Sequence, residues 1–127
     1  MGLEERRKVK ELQDTILPGR VKEIEEICGK PIPYEIDWAS FDDLPSLNFM
    51  DNCSCHRLNM ALRVICQDAM GKDAVKEGLK QIKLKNVKDK ASMKLAFEGG
   101  VLEMHNDYGH QNYFSDNEIR ELLTKKL

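Results

Sequence analysis

The sequence predicts an α+β domain: a mostly antiparallel sheet of about four strands, with helices packed on one face. Three observations carry that prediction. Apolar residues recur at helical spacing through the first 29 positions and again around residues 55–70. Two segments with strand-like alternation flank Gly99-Gly100. Ser115-Asp116-Asn117-Glu118 has the form of a helix-capping box.

Taken in order, Val9, Leu12 and Ile16 make one helical stripe, and Val21, Ile24 and Ile27/Cys28 make a second. Pro18 lies between them, so a break or kink is expected at Leu17. Gly29 is a natural stop, with Pro31 and Pro33 just beyond it. Tyr34-Glu35-Ile36-Asp37-Trp38 alternates as a short strand, and Trp38 reads as core. Residues 39–53 read as a loop, and a helix follows from about Cys55 to Met70 with Leu58, Leu62 and Ile65 facing inward. Gly71 would end that helix, and Asp73 would cap a short helical piece from Ala74 to Lys80.

The last third is the most explicit. Ile82–Lys85, Met93–Glu98 and Val101–His105 alternate as strands. Two consecutive glycines suit a two-residue turn in which both central positions need positive φ. Such a turn pairs Glu98 with Val101, Phe97 with Leu102, Ala96 with Glu103 and Leu95 with Met104. Leu95, Phe97, Leu102 and Met104 then face the core, while Lys94, Glu103 and His105 face outward. Ile119, Leu122 and Leu123 form the apolar stripe of the final helix, whose Lys125 and Lys126 suit its negative end.

Composition sets the limits on function. The chain has 127 residues, 41% apolar and 33% charged, with a net charge of −2. That describes one folded domain, residues 1–127, with no overall pull toward nucleic acid or an anionic membrane. The charged stretch from Met1 to Lys10 does not read as a secretory signal. Gly2 lacks the Ser or Thr four positions on that myristoylation wants, since Arg6 stands there. No apolar run approaches the ~20 residues that cross a bilayer. A cytoplasmic protein is the expectation, and Cys28 and Cys66, both on apolar helical faces, read as small hydrophobes in a reducing compartment.

Charge is uneven along the chain. Residues 31–70 carry two basic and six acidic residues, and residues 71–100 carry eight lysines and four acids. Lys83, Lys85 and Lys94 would share the polar sheet face with Glu35, Asp37 and Glu103, so their charges are matched across strands. Without aromatic residues interleaved among them, this face does not read as a nucleic-acid surface.

Two segments are candidates for chemistry. Cys53-Ser54-Cys55-His56 is the only cluster of soft ligands, and thiolates with imidazole are what zinc requires. One intervening residue spaces the two thiols poorly for a single ion, and on a helix they point apart. At a loop-to-helix junction the thiols would gain reactivity from the helix N-terminus. The other segment runs from His105 to Tyr113. It holds His105, Asp107, Tyr108, His110 and Tyr113 as candidate ligand-binding residues, with Asp107 and His110 as a proton-transfer pair. No nucleophile stands at a spacing that would complete an active site. The expected function is therefore a non-enzymatic binding or regulatory module whose partner is a protein, a small ligand or a second copy of the chain. The alternative is a small thiol- or zinc-dependent enzyme or sensor built on Cys53, Cys55 and His56.

Overall fold

Helix dominates the first half of the chain, and the reason it survives Pro18 is local. The structure, a computed structural model, describes residues 2–127; Met1, with which the first predicted helix would begin, lies outside them. Helix α1 (Leu3–Glu11) runs through a widened π-turn, Leu12–Ile16, into α2 (Leu17–Cys28). Proline has no N–H, and its ring would strike the carbonyl four residues back. Here Leu17 N–H reaches back five residues to the Leu12 carbonyl, which places Pro18 in the first turn of α2, where no donor is needed. The expected break at Leu17 is thus replaced by a bulge, with Leu17 itself at helical φ −63° and ψ −45°. Gly29, at φ 85°, ends α2 and donates to the Glu25 carbonyl.

Beyond β1 (Tyr34–Ile36) the structure departs from the expected loop. Trp38 leaves the strand for a 3-10 turn, Trp38–Ser40, and is half-buried rather than core. Helix α3 (Leu44–Met50) begins at Asp43, whose carboxylate accepts from Ser46 N–H at 2.8 Å, with Pro45 in the first turn. A second π-turn, Asp51–Cys55, carries the chain into α4 (His56–Ile65). The sequence signal for this start, Asp-Leu-Pro-Ser, resembles a turn as much as a cap, which is why residues 39–53 read as a loop. Helix α5 (Ala69–Gly78) is capped by Asp68 rather than Asp73, and Gly71 lies inside it rather than beyond a helix end.

The strands β2 (Gln81–Asn86), β3 (Lys94–Glu98) and β4 (Val101–Asn106) complete a four-stranded sheet ordered β1-β2-β4-β3. The sheet is mixed, not mostly antiparallel: β1 pairs with β2 and β2 with β4 in parallel, and only β3–β4 is antiparallel. One solvated face suggested antiparallel pairing, but that association is statistical. The helices α3, α4 and α5 form a crossover that returns β2 alongside β1 in the same direction. The hairpin then places β3 on the outer edge and turns β4 to run with β2.

The hairpin register is as the two glycines demand, from Glu98 opposite Val101 to Leu95 opposite Met104. Gly99 and Gly100 have φ 58° and 83°, values that suit a type I′ turn. They are not equivalent. A Cβ on Gly99 meets nothing within 4 Å, whereas one on Gly100 would lie 3.0 Å from the Gly78 carbonyl oxygen and the Lys80 stem. Asparagine is tolerated in the left-handed region, and other side chains cost about 1–2 kcal/mol there. Gly99→Asn is therefore expected to leave the urea midpoint nearly unchanged. Gly100→Ala should lower stability by about 2 kcal/mol in the same measurement.

The core lies between the sheet and the helices. Ile82, Leu84, Leu102 and Met104 from the strands meet Leu12, Ile24, Leu58, Leu62, Ile119 and Leu123 from the helices, all at or near full burial. Helix α6 (Asp116–Lys126) enters through the expected capping box: Glu118 N–H donates to Ser115 Oγ, and Ser115 N–H donates back to the Glu118 carboxylate.

Candidate functional site

Parallel strands bring their carboxyl ends to one side of a sheet, the end at which open α/β sheets hold ligands. Here that end gathers residues from three separate elements. Asn86 closes β2, Asn106 closes β4, and Asp43 caps α3 nearby. The chain leaving β4 then folds back on itself. Tyr108 buries its ring against Phe41, centroids 5.1 Å apart, and anchors a 3-10 turn, Tyr108–His110. Gln111, the one non-glycine residue with positive φ among the described residues, reverses the chain. Asn112 N–H consequently donates to the Asp107 carbonyl at 3.0 Å.

This reversal builds a compact polar pair. His110 Nδ1 lies 2.9 Å from both carboxylate oxygens of Asp107, and Asn112 Nδ2 donates to Oδ2 at 3.0 Å. The Asp107 side chain is 4% exposed and that of His110 is 72% exposed. A carboxylate withdrawn from water needs such partners, because an unpaired one would cost several kcal/mol. With Nδ1–H directed at the carboxylate, the neutral imidazole carries its lone pair on Nε2.

The pair borders a cleft of about 180 Å³ whose other polar walls are Asp43, Asn86 and Lys88. Lys88 is bound by Asp42 and, at 3.3 Å, by Asp43. Asp42, foremost, raises the Lys88 pKa above its ordinary value, burial opposes it, and Asp43 adds to the rise. Burial pushes the Asp43 carboxyl up, but the Ser46 donors and Lys88 outweigh it and hold it below the usual carboxylate range. Asn86 is 5% exposed; its Nδ2 donates to the Ser40 carbonyl, and its Oδ1 has no hydrogen-bond partner in the protein. Three carboxylates against one lysine make this end of the sheet acidic and rich in acceptors.

Of the five residues that the sequence singles out between His105 and Tyr113, the fold joins only Asp107 and His110. His105 extends from the opposite, polar face of the sheet, 3.3 Å from Glu103, as strand parity requires. Burial lowers its pKa, with Lys94 and Lys85 adding to the effect and Glu103 opposing it. Tyr108 is fully buried and belongs to the core, so it is not a ligand contact. Tyr113 lies beneath the Arg57 guanidinium, 4.6 Å from ring centroid to cation. Asp43, Asn86 and Lys88 were not among the sequence candidates. An Asp-x-Pro cap and an asparagine ending an alternating strand are the signals that could have marked the first two.

The polar sheet face forms a second, wider groove of about 380 Å³. Its charges are largely matched, Lys83 with Glu35 at 3.3 Å and Lys94 with Glu103 at 3.4 Å, as on an ordinary solvated face.

The cysteines do not form the expected site. Cys53 and Cys55 occupy the π-turn within a continuous helical stretch, eight residues or more past its start at Leu44, so no helix N-terminus lies beside them. Both are buried. Burial pushes the Cys53 thiol up, and burial together with the Asp51 charge pushes Cys55 up to about 12. Withdrawn from water and held protonated, they are weak nucleophiles at neutral pH. His56 is half-buried at the start of α4, and among the described residues no three His, Cys, Asp or Glu side chains converge to hold a metal ion. The residues present do not fit a zinc centre. Among the described residues, no helix is long and apolar enough to cross a membrane.

Comparison with protein-family models, curated proteins and solved structures finds no match for this chain. The chemistry of the Asp107–His110 cleft is what remains. It can accept hydrogen bonds, attract a positive charge, and hold a proton between carboxylate and imidazole.

Proposed function

We propose that the protein is a binding module that takes a cationic, donor-bearing group at the carboxyl end of its sheet. The group is a primary amine or guanidinium, carried on a peptide or a small molecule. The observation that carries this reading is the nearly buried Asp107 carboxylate holding an exposed imidazole at 2.9 Å. A surface histidine has no structural need of a buried carboxylate, whereas a histidine that must present Nε2 in a fixed direction does. Asp42 and Asp43 supply the negative field, and Lys88 neutralises part of it.

The test is amide NMR of the protein titrated with ethylguanidinium, n-butylamine and, as controls, acetate and phosphate. The cations are expected to perturb Asp43, Asn86, Lys88, Gly109 and His110, and both His110→Ala and Asp107→Asn should weaken the response at least tenfold. Perturbations elsewhere, or a stronger response to the anions, would refute the reading. Hydrolysis of an activated ester that disappears in His110→Ala would instead make the pair a general base.

A further inference from the structure

Cys28 and Cys66 are far apart in sequence and meet in space. Cys28 is the last residue of α2 and Cys66 the first after α4, and their sulfurs lie 3.2 Å apart, both as free thiols. We propose that Cys28 and Cys66 are a dithiol–disulfide switch, closed by thiol–disulfide exchange with a small-molecule disulfide and opened by its thiol. A disulfide bond is about 2.05 Å long. A gap of about 1 Å therefore separates the two sulfurs from bonding distance, and both cysteines lie at helix ends, where the backbone can yield slightly. Among the described residues no other two cysteine sulfurs are in hydrogen-bonding contact: Cys53 and Cys55 share one turn, and the Cys55 sulfur meets Ser54 Oγ at 3.9 Å.

The order of events follows from exposure. Cys28 is fully buried, whereas Cys66 is partly exposed. Cys66, as thiolate, attacks one sulfur of the small disulfide, forms a mixed disulfide and releases one small thiolate. Cys28 then loses its proton and attacks the Cys66 sulfur, releasing the second small thiol. Two protein thiols and one small disulfide become one protein disulfide and two small thiols, so electrons and protons balance. Burial holds both protein thiols above their ordinary pKa, with Lys72 countering it in part. The exchange is consequently slow at neutral pH and faster as pH rises. Once closed, the bond ties the end of α2 to the end of α4, two helices that pack directly on each other. The switch does not depend on the reading of the Asp107–His110 cleft.

The experiment exposes the reduced full chain to glutathione buffers of rising oxidised fraction, quenches with acid, alkylates in denaturant, and maps the peptides. Free thiols should fall from four to two, with one cross-link joining the Cys28 and Cys66 peptides. Cys53 and Cys55 should remain alkylatable, and dithiothreitol should restore all four thiols. The oxidised form should melt at a higher temperature. In Cys28→Ala the reaction should stop at a glutathione adduct on Cys66, and in Cys66→Ser no cross-link should form. A stable adduct on Cys66 in the unsubstituted chain, a bridge involving Cys53 or Cys55, or four free thiols at every ratio would each overturn the proposal.

Discussion

Gly71→Ala is expected to destabilise the protein by about 3 kcal/mol, although alanine is the better helix former by about 1 kcal/mol. Gly71 is the third residue of α5, and a Cβ there would lie 1.8 Å from the Ile65 carbonyl oxygen and 2.9 Å from its carbon. Both are backbone atoms at the end of α4, so the clash cannot be relieved by turning a side chain. Either α4 or α5 must move. Moving α5 breaks the Gly71 N–H bond to Asp68 that caps it, and it draws Val75 and Leu79 out of full burial. Gly19 is the control. It also lies in a helix, and a Cβ there meets nothing within 4 Å. Gly19→Ala should therefore gain about 0.5–1 kcal/mol from propensity alone. Urea unfolding of the two variants should show midpoints displaced in opposite directions, and a neutral Gly71→Ala would mean that the α4–α5 junction is looser than its geometry implies.

Gly71 also shows where sequence reasoning reached its limit. A glycine after an apolar helical stripe signals a C-terminal stop, and a glycine under a neighbouring carbonyl gives no local signal of its own. Contacts across a tight junction belong to tertiary structure. The hairpin register was legible because Gly99-Gly100 and the alternation around it act within ten residues, and the Ser115–Glu118 box within four. Strand direction was not legible, because it depends on whether the chain between β1 and β2 crosses over the sheet. The same holds at the candidate site. Asp107 and His110 are three residues apart and could be paired from sequence. The placement of Asn86 and Lys88 beside them follows from parallel pairing of β2 with β4, whereas the outward face of His105 follows from alternation along its own strand and was legible.

Asp51→Ala is the second substitution with a large expected effect, about 2–3 kcal/mol, and it acts through charge rather than volume. Arg20 donates through Nε and Nη2 to the two Asp51 oxygens, each at 2.8 Å, and through Nη1 to Glu23 at 2.9 Å. Asn59 completes the set by donating to Glu23 at 2.8 Å. These contacts tie α2 to the Asp51–Cys55 π-turn and to α4. The Arg20 and Asp51 side chains are 20% and 27% exposed, so water screens the pair only partly. Removing the carboxylate leaves a half-desolvated guanidinium with one anionic partner, and a bidentate, charge-assisted pair is lost with it. Arg20→Lys keeps the charge but not the fork, and it should cost less than Asp51→Ala. Combining Arg20→Met with Asp51→Leu should cost less than Asp51→Ala alone, since the guanidinium goes with its partner and Glu23, 37% exposed, keeps water and the Asn59 donor. The network also sets part of the acid sensitivity. The Asn59 donor, then Arg20, hold the Glu23 carboxyl below its ordinary value against the opposing effect of burial. A lowered folded-state pKa contributes stability that is fully present above the unfolded value near 4.3 and is lost as pH falls toward the folded one. Glu23→Gln should accordingly flatten the stability profile below pH ~4.3 while leaving its slope above pH 6 unchanged. A profile that keeps its acid limb in Glu23→Gln would assign that limb to other carboxylates, with Asp43, held down by Ser46 and Lys88, the first to substitute.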